Sequence, residues 1–211
     1  ILSIIFAKDL PRPEKFSEKQ SAQSTKIYDK TGKVGLYEIY GEEKRTIVPL
    51  SAMPDRLKQA VIATEDANFY EHFGIDPMAI LRSVLINLKL KKASYGGSTI
   101  SQQLIRSAYF SNEKTFQRKI KEIILALELD RRYSKDQILE WYLNQIPLGS
   151  NTYGVEAASQ TYFQKSVSEI SLAEAAALVA LIRAPSFLSP YGDYKDNLLG
   201  RKDYVLERMV K

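Results

Sequence analysis

No cysteine occurs anywhere in the 211 residues, which excludes a disulfide scaffold and every Cys-ligated metal site. Histidine is nearly as scarce: His72 is the only one, so a His-rich zinc site is excluded as well. No apolar run reaches the roughly 20 residues that a membrane-spanning helix requires. The apolar opening, Ile1-Leu-Ser-Ile-Ile-Phe-Ala7, stops at Lys8. It fits a local strand, a signal-peptide remnant, or the end of an anchor that begins earlier. There is no internal repeat, no low-complexity segment and no Gly-Lys-Ser/Thr phosphate loop. What remains is an ordinary globular composition, long enough for one domain or one domain with a small satellite. Its 30 Lys and Arg outnumber 25 Asp and Glu, for a formal charge of +5 and a pI of about 9.2. That balance favours an anionic partner: phosphate, an acidic lipid surface or nucleic acid.

Residues 8 to 24 are polar, carry Pro11 and Pro13, and read as a linker. Between β-rich runs, Asp29-Lys-Thr-Gly32 predicts a hairpin turn, and Arg45-Thr-Ile-Val-Pro-Leu50 a third short extended piece. A helix from about Asp55 would place Leu57, Val61 and Glu65 on one face, at i, i+4 and i+8. Glu65 thus stands where the apolar stripe would continue. A carboxylate there loses hydration, which suits a general base, and the neighbouring charges of Asp66 and Glu71 push the same way. The plainer alternative is a carboxylate that ends an amphipathic helix and reaches to water. Gly74 reads as the helix stop.

Asp76-Pro77 predicts the start of a second helix, with Met78, Leu81, Leu85 and Leu88 along one stripe. Lys89, Lys91 and Lys92 either complement the helix dipole or rim a greasy surface suited to an anionic membrane face. In Tyr95-Gly-Gly-Ser-Thr-Ile-Ser-Gln-Gln-Leu104, Thr99 and Gln102 predict a capping box behind two glycines. The glycines allow close backbone approach, and the helix N-terminus suits an anion.

A helix from about Lys114 to Arg132 should carry Phe116, Ile120, Ile123, Ile124 and Leu127 on one face and Leu125 and Leu129 on the other. That pattern predicts a central, buried helix. Arg118, Lys119 and Glu122 fall on the Leu125/Leu129 side at i, i+3 and i+4 spacings, as a surface ion pair or the lining of a polar cleft. Ser134-Lys-Asp-Gln137 is a further capping box. Gln145 to Gly154 reads as a glycine-rich polar loop, with helices at Ala157/Ala158, Ser171 to Ile182, and 197 to 210.

Five stretches then stand in order: Glu65-Asp-Ala-Asn-Phe-Tyr-Glu-His-Phe-Gly74, Gly97-Ser-Thr-Ile-Ser-Gln-Gln103, Arg118-Lys-Ile-Lys-Glu122, Ile138-Leu-Glu-Trp-Tyr-Leu-Asn144 and Arg183-Ala-Pro-Ser-Phe-Leu-Ser-Pro190. In type, order and spacing the set resembles the peptidoglycan glycosyltransferases (glycosyltransferase family 51). Ser101 replaces the threonine many members carry. The resemblance implies a mainly α, lysozyme-like globular domain over 25–211, with a β-hairpin segment at 25–50 and a membrane-facing sub-lobe at about 76–116. Residues 1–24 would be an anchor-proximal linker. The hairpin resembles the class A penicillin-binding proteins, so a transpeptidase domain is expected in the full-length protein. None is read here: Ser111-Asn-Glu-Lys114 and Lys30-Thr-Gly32 are in inverted order and Ser-x-Asn is missing.

The implied reaction polymerises lipid II into β-1,4 glycan with release of polyprenyl diphosphate, at the outer face of the bacterial cytoplasmic membrane. By resemblance Glu65 is the general base. Arg118 and Lys119 meet the charge of the leaving diphosphate, helped by Arg82, Arg106 and Lys114. Glu122 orients those cations or helps hold a divalent cation (Mg or Mn); no organic cofactor is implied. Ser98, Thr99, Gln102 and Gln103 contact substrate and shape the cleft. Asp66 and His72 support Glu65, with Phe69 counted among the substrate-binding set and Asn144 behind it. The implied partners are lipid II, the growing glycan strand and the membrane surface, and no nucleic acid. A lysozyme-like glycan-cleaving enzyme would use Glu65 and Glu122 as its carboxylate pair but leaves the cations unexplained. A non-catalytic lipid- or nucleic-acid-binding module would explain the charge but not the Glu65 stripe.

Overall fold

Capping residues mark most helix starts. The computed structural model describes residues 25–28, 30–31, 35–39, 44–90, 96–110 and 115–210. Strand β1 (Thr25–Tyr28) pairs antiparallel with β2 (Gly35–Ile39), as the hairpin signal predicts. Asp29 and Gly32 of that turn lie outside the described residues, as do the linker 1–24 and Lys91, Lys92 and Lys114. Eight α-helices follow among the described residues: α1 (Asp55–Glu65), α2 (Pro77–Leu90), α3 (Ile100–Tyr109), α4 (Phe116–Arg132), α5 (Lys135–Gln145), α6 (Val155–Phe163), α7 (Leu172–Leu181) and α8 (Lys195–Val210). The fold is mainly α, as expected. None of the described helices is long and apolar enough to cross a membrane.

The described chain divides into two compact units. The first holds Glu65–Tyr142 and has its core in Phe69, Ile100, Leu104, Ile105, Leu125, Leu129, Ile138 and Leu139. Burying each such side chain contributes roughly 1.5–3 kcal/mol. Here α3 packs on α4. The second unit holds 25–64 and 143–210. Its alanine-rich α7, opened by a reciprocal Ser171/Glu174 capping box, packs on α8. Leu57, Ala60 and Val61 of α1 are buried in this unit, the stripe predicted from their spacing.

Three expectations need correction. Helix α1 ends at Glu65, and 66–74 form turns, so Gly74 is not its stop. Gly74 instead takes φ +84° against α4, where a Cβ would lie 2.5 Å from the Ala126 carbonyl oxygen. Helix α4 buries the smaller apolar side, Leu125, Ala126 and Leu129 with Glu122, while Phe116 is 81% and Leu127 40% exposed. Packing against α3 selects the narrow stripe with small Ala126, because close helix approach needs a slim contact surface.

Gln145–Gly154 is not all loop. β4 (Pro147–Gly149) and β5 (Thr152–Tyr153) form a hairpin, and Ser150 and Asn151 take left-handed φ of 48° and 58° at its tip. Adjacent left-handed residues match the twist of paired strands. The expected extended piece near Arg45 is present. It forms β3 (Lys44–Arg45), which pairs parallel with β5 in a second sheet of order β3-β5-β4.

Candidate active site

Glu65, half-buried at the end of α1, is met by Gln103 of α3, whose Nε2 donates to Glu65 Oε2 at 3.0 Å. Gln103 Oε1 in turn accepts from the hydroxyl of Tyr142 on α5, also at 3.0 Å. Tyr142 is fully buried. Burial, and after it the charge of Glu65, pushes its phenol well above the ordinary tyrosine range. Lying on the apolar face of its helix, Tyr142 reads from sequence as core. The available signal was its hydroxyl, since a buried phenol needs a polar partner.

Asp66 turns away from this chain of bonds. Its carboxylate meets His72 Nε2 at 2.9 and 3.0 Å and accepts the Ile100 N–H at 2.9 Å. The anion expected at the N-terminus of α3 is therefore supplied internally, by Asp66. Thr99 caps the same helix, accepting from Gln102 N and donating to the Gly74 carbonyl at 2.6 Å. The predicted capping box is only half formed, because the Gln102 side chain is drawn to Lys119 instead of back to its own helix end. Of the two glycines before it, Gly97 makes the close approach: a Cβ would lie 2.9 Å from Ile80 Cα in α2.

The second cluster centres on Glu122, almost fully buried on α4. Arg118 Nη1 lies 2.9 Å and Lys119 Nζ 3.3 Å from its two oxygens. Lys119 also donates to Ser98 Oγ at 2.9 Å and Gln102 Oε1 at 3.1 Å. Burial lowers the Lys119 amine from the ordinary lysine range. Glu122 opposes that shift, and Arg106 and Arg118 add to it. Gln102 Nε2 is buried without a hydrogen-bond partner.

The other expected residues take different places. Arg106 is exposed on α3 and close enough to act electrostatically on Lys119. Arg82 stands exposed on α2. Phe69 is wholly enclosed beneath Lys135, whose Nζ lies 4.7 Å from the ring centre. Asn144 belongs to the second unit, where its amide brackets the Val48 backbone at 2.9 and 3.0 Å. A partly buried set unread from sequence, Ser101, Asp130 and Lys135, ties α3, α4 and α5 together. On α2 the stripe of Met78, Leu81, Leu85 and Leu88 is between 52% and 70% exposed.

In this unit an amide donates to one carboxylate and two cations flank the other, an arrangement suited to group transfer onto a hydroxyl with an anionic leaving group. Comparison agrees in kind. The family model described as "Transglycosylase" matches residues 33–210, and the chain belongs to that family. It is 44% identical over 204 residues to penicillin-binding protein 1A of Aquifex aeolicus, covering 97% of this chain and 28% of that one. To the protein of the same name from Escherichia coli it is 45% identical over 184 residues, covering 87% and 21%. The chain thus spans about a quarter of the length of such relatives. The solved structure of penicillin-binding protein 1A from Haemophilus influenzae is similar at 29% identity and a TM-score of 0.48, covering 89% of this chain and 18% of that one.

Proposed function

We propose that this chain is a peptidoglycan glycosyltransferase that joins lipid II units into a β-1,4 glycan strand and releases polyprenyl diphosphate. Glu65 accepts the proton of the acceptor's 4-hydroxyl as that oxygen attacks C1 of the donor sugar. The bond from C1 to the diphosphate breaks, and its electron pair leaves on the phosphate oxygen. One displacement inverts an α-linked donor into a β product. Arg118 and Lys119, with Arg106, Arg82 and Lys114, meet the departing charge. Ser98, Gln102 and Gln103 line the donor and acceptor positions.

The observation that carries this reading is the pair of neighbours on α3: Gln103 binds Glu65 while Gln102 binds Lys119. One helix thus serves both a carboxylate and a cluster of cations. Glu122 is assigned to orienting those cations. Its two oxygens face Arg118 and Lys119, a setting that does not fit a divalent cation. The exposed stripe of α2 supports placement against the membrane surface where a lipid-linked substrate resides. A membrane anchor before the chain, a transpeptidase domain after it, and action at the outer face of the bacterial membrane complete the proposal.

The test is polymerisation of labelled lipid II in detergent with a divalent metal, comparing the full-length protein with Glu65→Gln. Polymer from the parent and none from a folded variant is expected. A variant as active as the parent would remove Glu65 as the base. Shortening of preformed glycan in place of polymer would assign the chain to glycan cleavage.

A further inference from the structure

We infer that Tyr142 is a positioning residue for the reaction, acting through the Gln103 amide to hold Glu65 as a hydrogen-bond-accepting carboxylate. The inference rests on the reading of Glu65 as the base. The bonds run in one direction: the phenol donates to Gln103 Oε1, and Gln103 Nε2 donates to Glu65 Oε2, each at 3.0 Å. A side-chain amide has one accepting and one donating end and can reverse them by rotation. With the phenol donating at the oxygen end, the N–H end is kept toward Glu65.

Tyr142 meets the requirements for such a donor. It is fully buried, so water does not compete for its hydroxyl, and its phenol stays protonated across any working pH. The charged groups that act on it are Glu65, Asp66 on the following residue, and Arg106 on the same helix as Gln103. Replacing the hydroxyl alters none of them. An N–H aimed at a carboxylate favours its charged form, whereas a carbonyl oxygen turned toward it favours protonation. Loss of the hydroxyl therefore frees the amide to reverse and leaves less of Glu65 in its proton-accepting form at a given pH, without removing any group that touches substrate.

The experiment measures kcat and KM for lipid II polymerisation against pH in the full-length protein. Parent, Tyr142→Phe, Gln103→Leu, the double variant and Glu65→Gln are compared, with thermal melting of each. Tyr142→Phe is expected to lower kcat about tenfold with KM little changed. The acid limb of its profile should move up by about one pH unit. Adding Tyr142→Phe to Gln103→Leu should cost nothing further, because the relay is already cut. A folded Tyr142→Phe with the parent's kcat and profile would overturn the inference. So would additive losses in the double variant, or a loss that follows melting temperature with an unmoved acid limb. An active Glu65→Gln would instead fail the reading of the base. An inactive Glu65→Gln beside a parent-like Tyr142→Phe would fail the relay alone.

Discussion

Glu65 and Glu122 are the same residue type in the same compact unit, yet each has its own distinct partners. Glu65 is half-buried and reached by a neutral amide, itself held by a phenol. Glu122 is almost fully buried between a guanidinium and an ammonium. An amide N–H at a carboxylate helps to orient it without bringing charge of its own. A carboxylate placed between two cations serves to arrange its partners. The difference teaches that role follows from neighbours and not from residue type.

Each arm of this contrast has its own expected failure. Glu65→Gln should show the largest effect, a kcat loss of about 10²–10⁴-fold with unchanged melting temperature, because the base is lost and little packing is disturbed. A matching fall in stability would blur the distinction. Glu122→Gln should lose about 100-fold in kcat and also about 2–4 kcal/mol of stability, since two cations are left facing each other in a partly buried setting. Denaturant unfolding measured beside kinetics decides it; an unchanged midpoint would break the comparison.

A smaller effect is set by pH. Because the Lys119 amine is lowered, activity should fall on an alkaline limb below the ordinary lysine range, and Lys119→Arg should carry that limb upward. For stability the sign is opposite. The native state sheds this proton before the unfolded chain does, so the unfolded state binds more protons and stability rises with pH through that window. A pH–rate profile showing no alkaline fall below the usual lysine range would remove Lys119 from the charged set. The smallest effect lies outside both clusters: Ser171→Ala, which breaks the capping box of α7, should cost about 1 kcal/mol and leave kcat unchanged.

Much of this was legible in the sequence where the cause is local. The Leu57/Val61/Glu65 stripe, the Asp76, Thr99 and Ser171 starts, and the Arg118–Lys119–Glu122 spacing all lie within a turn or two of helix, and they occur as read. The ordered motifs pointed to the family that the comparison shows. Where the reading failed, distant partners had intervened. Gln102 abandons its capping role for Lys119, 17 residues on. Asp66 fills the N-terminus of α3 across 34 residues, the place the sequence had offered to an outside anion. Tyr142, on the apolar side of α5, also donates a hydrogen bond to Gln103, 39 residues away.

The sequence by itself determined the helices, their caps and the family, because capping and periodicity depend on residues within a few positions of one another. Only the tertiary structure decided which face of α4 is buried, which strand β3 joins, and that Gln103 spans from Glu65 to Tyr142 over separations of 38 and 39 residues. Such pairings come from competition among many polar groups for few buried partners. Its outcome depends on how whole helices pack, because each buried donor or acceptor must find whatever the packing brings within reach.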